Sequence, residues 1–211
     1  MNPRNVVVAV AVIAGLGCVL GWRSAYLPEA GRAEAAPATV ESFAIDAVHS
    51  KALFRVHHLG AGMFYGRFND VTGTIVFDGA SAAGPQFDVS IAAGSVDTGN
   101  DKLDGHLKSP DFFNVAEHPK LTFKSKSAKK VNDKTYEVSG DLTIHGVTKP
   151  LTAQVDWTGT AEGRGGKRCG FETVFTIKRS DFGMTYMLEG GGLGDEIRVI
   201  VSLEGMIGGG R

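Results

Sequence analysis

Residues 51–58 read KALFRVHH, and apolar side chains recur there at every second position from Ala52. Successive side chains of a β-strand point to opposite faces, so this spacing predicts a strand with one apolar face. That face carries Ala52, Phe54, Val56 and His58. The adjacent His57 lies on the other face with Arg55, so the two histidines cannot bind one metal ion together.

The same alternation recurs along the rest of the chain. It is present in VTGTIVFD (71–78), QFDVSIAA (86–93), KLTFKS (120–125) and YEVSGDLTIHG (136–146), and again around residues 151–155, 171–177 and 197–203. Turn-forming sequences such as VNDK and HGVTKP separate these segments. An open sheet would leave its apolar face and both edges in water, so about eight antiparallel strands are expected to close into a barrel. The predicted fold class is all-β.

The composition is that of one globular domain with an ordinary core. The chain has 211 residues, 43% of them hydrophobic, and a formal net charge of -1. A protein without a surplus of basic residues is not expected to bind nucleic acid. Its two cysteines, Cys18 and Cys169, are far apart, and Cys18 lies in an apolar run, so no disulfide is expected within the domain.

The N-terminus has the pattern of an export signal. Arg4 precedes residues 6–22, VVVAVAVIAGLGCVLGW, which contain no charged residue. The sequences AEA and APA, at 33–38, lie far beyond this run for a cleavage site, so an uncleaved anchor is favoured over a removed signal. A lipoprotein signal ending at Cys18 fits less well, because Gly15 stands where a bulky aliphatic residue is expected. Each alternative places the residues beyond 39 outside the cytoplasm.

These patterns divide the chain into successive parts. Residues 1–22 are the predicted signal or anchor, an apolar helix, and residues 23–42, which contain Ala and Pro, are a predicted flexible tether. Residues 43–205 form the predicted barrel domain, and residues 206–211 are a Gly-rich tail. The chain beyond the tether is therefore expected to lie outside the cytoplasm, with residues 1–22 as its membrane anchor.

Residues 95–123, SVDTGNDKLDGHLKSPDFFNVAEHPKLTF, concentrate acids and histidines in the manner of a metal or acid–base site. An EF-hand does not fit, because Lys102 and Lys108 occupy the positions of its essential glycine and its last acid. Zinc does not fit either, because His106 and His118 lack paired ligand spacing and cysteines. The segment is therefore interpreted as structural.

A short helix over residues 101–108 is the structural interpretation. Asn100 is expected to cap it, and Asp104 is expected to pair with Lys108 one turn later. Pro110 prevents continuation of the helix. The apolar residues of this region predict a lid over one end of the barrel, formed by Leu103, Leu107, Phe112 and Phe113.

Several ordered motifs resemble those of one known family. They are FAIDAVHSKALFRVHHLG (43–60), GRFNDVTGTIVFD (66–78), the segment 95–125, GDLTIHGVTKPL (140–151) and IKRSDFG (177–183). Their order and spacing resemble the YceI-like family of bacterial periplasmic polyisoprenoid-binding proteins. The resemblance implies an elongated, lipocalin-like antiparallel barrel whose lumen holds a long isoprenoid chain, such as that of a quinone or a polyprenyl lipid. It implies no catalytic residues and no metal.

Alternation selects the side chains expected to line or fill the lumen. On the strands, the candidate ligand-binding residues are Phe54, Val56, His58, Phe68, Ile75, Phe77, Phe87, Val89, Ile91, Phe123, Leu142, Ile144, Phe175 and Ile177. The four residues of the predicted lid complete the set. His58 is interpreted either as a satisfied core histidine or as a polar contact for a ligand headgroup. Arg179 and Asp181 are expected to form an ion pair or a turn contact at the end of a strand, and a contact between Arg179 and a ligand headgroup is the alternative.

The favoured hypothesis is a non-enzymatic protein that binds an isoprenoid lipid for transport, storage or buffering outside the cytoplasm. No cofactor other than this lipid is expected. The expected partners are the lipid and, through the N-terminal segment, the membrane, and a homodimer is left open. Two alternatives remain: an enzyme using the acids and histidines of residues 97–118 on a small substrate, and an interaction module with a filled barrel.

Overall fold

A computed structural model of the chain describes residues 39–79, 83–163 and 165–207. The predicted anchor, residues 23–38 of the predicted tether and residues 208–211 of the predicted tail lie outside these ranges. Within them, no helix combines the length and the apolar character needed to cross a membrane.

Most of the described chain is β-strand. The strand segments are β1 (Glu41–Ile45), β2 (Lys51–His58), β3 (Gly62–Phe68), β4 (Val71–Phe77), β5 (Gln86–Ala92), β6 (Val96–Asp97), β7 (Lys120–Lys130), β8 (Thr135–Ile144), β9 (Val147–Gly163), β10 (Gly166–Lys178) and β11 (Leu193–Met206). The α-helix is α1 (Asp101–Leu107), and short 3-10 turns cover Ala93–Ser95, Arg179–Phe182 and Glu189–Gly191.

Hydrogen bonding joins these segments into a closed ring of eight antiparallel strands. The segments β1 and β2 are successive halves of one strand, because β2 pairs with β3 and β1 pairs with β4. In the same way β3 with β4, and β5 with β6, each form one interrupted strand. The remaining neighbours follow chain order, and β11 closes the ring by pairing with both β2 and β1. The prediction of an eight-stranded antiparallel barrel is confirmed.

The up-and-down order places the connections alternately at the two ends of the barrel. The helical end consists of the connections around residues 58–62, 97–120, 144–147 and 178–193. The opposite end consists of the connections around residues 77–86, 130–135 and 163–166, together with the start of β1 and the end of β11. The helix and the longest connections therefore share one end.

Aromatic side chains fill the half of the lumen nearer the opposite end. The Phe77 ring has edge contacts with Tyr136, Trp157 and Phe171 at centroid distances of 5.9, 5.4 and 5.2 Å. Phe43 and Ile75 are buried in the same core. The ring of strands and this core are both built from residues 41–207, so this part of the chain contains what an independently folding domain needs.

The helix predicted over residues 101–108 is confirmed as α1. The Asn100 side chain accepts a hydrogen bond from the Leu103 N–H at 3.1 Å, which is the expected N-cap. The predicted pairing of Asp104 with Lys108 is wrong. The Asp104 carboxylate instead accepts hydrogen bonds from the Thr98 N–H at 2.8 Å and the Thr98 hydroxyl at 2.6 Å, because the chain entering the helix passes beside it.

Gly140 tests how tightly the wall of the barrel is packed. A Cβ atom there would lie 2.4 Å from the Lys124 carbonyl oxygen and 2.7 Å from the Phe123 ring. We expect Gly140→Ala to lower the free energy of unfolding by about 1–3 kcal/mol through overpacking, measured by urea denaturation followed by circular dichroism. The matched control is Gly105→Ala in α1, where an added Cβ meets nothing within 4 Å. That change is expected to leave stability unchanged or raised, and equal destabilisation by both variants would contradict the prediction.

Candidate functional site

An apolar cavity of about 490 Å³ occupies the half of the lumen nearer the helical end. The structure places the predicted strand residues at its wall with two exceptions. Those at the wall are Phe54, Val56, His58, Phe68, Phe87, Val89, Ile91, Phe123, Leu142, Ile144, Phe175 and Ile177. Ile75 and Phe77 do not line the cavity, because they belong to the packed core of the other half. Alternation identifies the inward face of a strand but does not distinguish its filled part from its open part.

Other cavity residues were not among the candidates. On the strands they include Phe64, Leu151 and Ala153, and in the connection before β11 they include Met184 and Tyr186. Leu151 and Ala153 follow the alternation of their strand, so the signal that could have identified them was present. Met184 and Tyr186 lie in irregular chain, where no periodicity indicates direction.

Gly66 shapes one side of the cavity by admitting an aromatic ring. It pairs directly with Phe54 across β2 and β3. A Cβ atom on Gly66 would lie 2.2 Å from the Phe54 ring. The ring therefore lies over the glycine, against the wall of the barrel, and leaves the centre of the lumen open.

The predicted lid residues Leu103, Leu107, Phe112 and Phe113 all line the cavity. Phe113 packs edge-to-face on Phe68 of the barrel, with ring centroids 5.2 Å apart. The segment from α1 to Phe113 thus lies across the helical end and contacts the barrel wall.

A cluster of three rings joins the lid to the connection before β11. His106 lies 5.1 Å from Phe112 and 4.9 Å from Tyr186, measured between ring centroids, and Phe112 lies 5.2 Å from Tyr186. The His106 Nε2 atom is 2.9 Å from a carboxylate oxygen of Asp111. These contacts hold the short helix and the long connection against each other at the mouth of the cavity.

Arg179 is a buried cation at the cavity wall, with 2% of its surface exposed. Its guanidinium donates hydrogen bonds to the backbone carbonyls of Met184, Leu193 and Gly194 at 2.8, 2.9 and 2.8 Å. Burial lowers the pKa of Arg179. The expected ion pair with Asp181 is therefore wrong: the guanidinium instead binds one carbonyl of the connection before β11 and two carbonyls at the start of β11.

His58 is exposed at the rim of the cavity rather than buried in the core. The interpretation as a satisfied core histidine is therefore wrong. Its position leaves the imidazole within reach of a polar group at the mouth. His106 lies at the same end, so the ring nitrogens of the cavity are concentrated near the opening.

The acids of residues 97–118 do not face the cavity. Asp97 accepts hydrogen bonds from Asn69 and Arg67 that lower its pKa to about 2. Asp104 is held by Thr98, and Asp111 faces His106. None of the carboxylates described in this segment lines the cavity. The acid–base chemistry of the enzyme alternative therefore has no carboxylate from this segment at the cavity.

One further cluster resembles a cation site, among the residues that the structure describes. Ligand atoms of Asp46, His49 and Glu204 lie within 4.8 Å of one another. The Arg168 guanidinium donates hydrogen bonds to both carboxylates. It therefore already supplies the positive charge that a bound metal ion would bring. Cys169 is a buried free thiol of the core, and burial raises its pKa to about 12.

The match to known proteins agrees with this geometry. Residues 43–205 match the model of the YceI-like domain. The chain is 42% identical over 159 residues to Protein YceI of Escherichia coli O6:H1, covering 75% of this chain and 82% of that protein. The chain belongs to the YceI-like family. The family recognised in the sequence motifs is thus confirmed.

Solved structures share the barrel. The crystal structure of Burkholderia cenocepacia BcnA superposes with a TM-score of 0.68 at 25% identity, covering 76% of this chain and 98% of that one. A polyisoprenoid-binding domain from Saccharophagus degradans superposes with a TM-score of 0.62 at 18% identity, covering 80% of this chain and 99% of that one. At that identity the second match shows the fold alone.

The role of Arg179 in holding the connection before β11 is testable. We expect Arg179→Met to lower the free energy of unfolding by about 2–4 kcal/mol, because buried carbonyls lose their donor, measured by urea denaturation. Asp181→Asn is the matched control and is expected to be neutral, since Asp181 does not pair with the guanidinium. If Asp181→Asn lowered the free energy of unfolding strongly and Arg179→Met lowered it only slightly, the ion pair would be supported and the carbonyl contacts refuted.

Proposed function

We propose that the barrel binds the isoprenoid chain of a quinone or polyprenyl lipid in this cavity. The observation that carries the proposal is the apolar cavity of about 490 Å³ inside a closed barrel, beneath a lid of leucines and phenylalanines. Membership of the YceI-like family supports it, as does the name of the Saccharophagus degradans neighbour, a polyisoprenoid-binding domain.

Apolar contact alone is sufficient for useful affinity. Each buried CH₂ group contributes about 0.8 kcal/mol before the cost of ordering the chain. At about 0.3 kcal/mol per heavy atom, a forty-carbon tail reaches about 12 kcal/mol, which corresponds to nanomolar affinity. Apolar contacts with the cavity wall therefore give sufficient affinity, and no charged side chain is needed to bind the lipid.

The polar groups suggest the direction in which the lipid lies. His58, His106 and Tyr186 line the cavity at the helical end, while the floor ends on Phe87 and Phe171. We propose that the tail points toward this aromatic floor and the headgroup lies at the mouth. An apolar floor excludes a headgroup because a buried polar group without partners costs several kcal/mol.

We further propose that the protein carries, stores or buffers its lipid outside the cytoplasm, tethered to the inner membrane. The apolar run of residues 6–22 after Arg4 supports this location. A protein that shields an isoprenoid chain from water is needed only where that chain must leave the bilayer. No catalytic step is proposed.

Bound lipid is the decisive measurement. We expect native mass spectrometry of residues 39–211, purified without added lipid, to show a bound species that solvent extraction identifies as an isoprenoid. Ala153→Trp should abolish it, because the indole would enter the cavity. Gln154→Trp is the matched control, since Gln154 is exposed on the outer face of the same strand. Absence of isoprenoid in the unmodified domain, with no uptake of added quinone or polyprenol, would refute the proposal.

The lid has a separate prediction. We expect Leu103→Ser and Phe113→Ser each to speed the loss of bound lipid by at least about tenfold, because each removes apolar contact of about 1.5–3 kcal/mol from the lid. Loss is measured by transfer of bound lipid to acceptor vesicles, and circular dichroism checks that the barrel is folded. Lys102→Ser, on the exposed side of α1, is the control. Unchanged loss rates in both lid variants would show that this segment is not a lid.

A further inference from the structure

Large apolar side chains are exposed around the mouth of the cavity. Leu59 is 61% exposed, Met63 51%, Met187 42% and Tyr186 38%. Leu59 and Met63 belong to the β2–β3 hairpin, and Tyr186 and Met187 to the connection before β11. Both elements lie at the helical end. We call these four side chains the apolar rim.

Backbone hydrogen bonds make the rim one continuous surface. The Leu59 N–H donates to the Gly192 carbonyl at 2.9 Å, and the Leu193 N–H donates to the Met187 carbonyl at 3.1 Å. The hairpin and the connection are thus joined. Tyr186 and Met187 also line the cavity, so the rim is continuous with its interior.

Two rim residues are held in an unfavourable backbone conformation. Leu59 has a φ of 52° and Met187 a φ of 51°, in the left-handed region. A branched or long side chain is less stable in this region than at negative φ, because its Cβ atom crowds the following carbonyl oxygen. Glycine or asparagine would relieve the cost and remove the exposed apolar group. Strain together with exposure indicates that the side chains are used at the surface.

A basic patch lies beside the rim on the outer wall. Arg55 and Arg198 are direct neighbours across β2 and β11. Within the described residues neither takes part in an ion pair, although like charges facing each other across strands destabilise a sheet. They border a shallow depression of about 310 Å³ that also contains His57 and Met63 of the rim. The depression and the rim are therefore contiguous.

Two acids border the same depression and reduce the charge of this patch. They are Asp195 and Glu196, and Lys178 lies directly across from Glu196, so three cations face two carboxylates and a net positive charge remains. Tyr65, which is exposed, lies across from Arg55 and adds an amphipathic ring to the patch. Arginine beside tyrosine and exposed aliphatic groups is the composition of a surface that enters the interface of an anionic membrane.

We propose that the rim and the two arginines dock this end of the barrel on an anionic lipid bilayer. The four rim side chains enter the boundary between headgroups and acyl chains, and Arg55 and Arg198 contact lipid phosphates. The mouth of the cavity then faces the bilayer, so an isoprenoid chain passes between membrane and barrel without crossing water. This inference rests on the proposed function for its purpose and on the exposed side chains for its geometry.

Vesicle binding by residues 39–211 tests the proposal, because this part lacks the apolar N-terminal run. Sedimentation is measured with vesicles of phosphatidylcholine alone and with about a quarter phosphatidylglycerol. We expect tighter binding to the anionic vesicles. R55Q/R198Q should weaken that binding about 30-fold, at about 1 kcal/mol per charge. L59S/M63S should weaken binding to both vesicle types by at least about tenfold.

Matched variants at the opposite end serve as controls. Val131→Ser removes an equally exposed apolar group at the β7–β8 hairpin, where Val131 is 52% exposed. K129Q/K134Q removes two positive charges near the same hairpin. Neither is expected to change binding. Equal losses in rim and control variants, or no vesicle binding by the unmodified domain, would overturn the docking surface.

Two further outcomes separate this proposal from the lipid-binding function. Vesicle binding that depends on the rim and persists in Ala153→Trp supports docking even if no isoprenoid is extracted. Bound isoprenoid without vesicle binding overturns docking and leaves lipid binding intact. Light scattering checks a second copy as the occupant: a dimer that L59S/M63S dissociates would also overturn membrane docking.

Discussion

Closure of the sheet is the constraint on which the rest of the molecule depends. The last strand, β11, pairs with β2 along one part of its length and with β1 along another. This arrangement satisfies both edges of an otherwise open sheet. It also commits every inward side chain to a shared interior of limited width. Whether that interior is solid or hollow is then decided by the sizes of those side chains.

One half of the lumen is filled and the other half is hollow. Near the opposite end, Phe77 and its aromatic neighbours meet edge to face and fill the space. Near the helical end, glycines stand where a larger residue would force rings inward. Phe54 over Gly66 and Phe123 beside Gly140 are examples, since a Cβ on either glycine would overlap the ring. The cavity thus arises from small residues that let aromatic rings lie along the wall.

Alternation along the strands predicted the fold and most of the cavity wall, because period-two patterning reports directly which side chains point inward. It could not separate Ile75 and Phe77 from Phe87, because all three point inward, and Ile75 even pairs directly with Phe87 across β4 and β5. It also missed Met184 and Tyr186, since irregular chain has no period. The expectation for Arg179 failed for a related reason: its partners are backbone carbonyls, which side-chain sequence does not reveal.

The distribution of charge explains why the acids and histidines of residues 95–123 were misleading as a site. Asp97 and Asp104 each accept hydrogen bonds that fix the entry to α1, and Asn100 caps it. These hydrogen bonds position a short helix that has too few turns to be stable alone. Once the helix is fixed, its leucines and the following phenylalanines face the cavity. Polar residues thus determine where the lid lies, while apolar residues determine what it can cover.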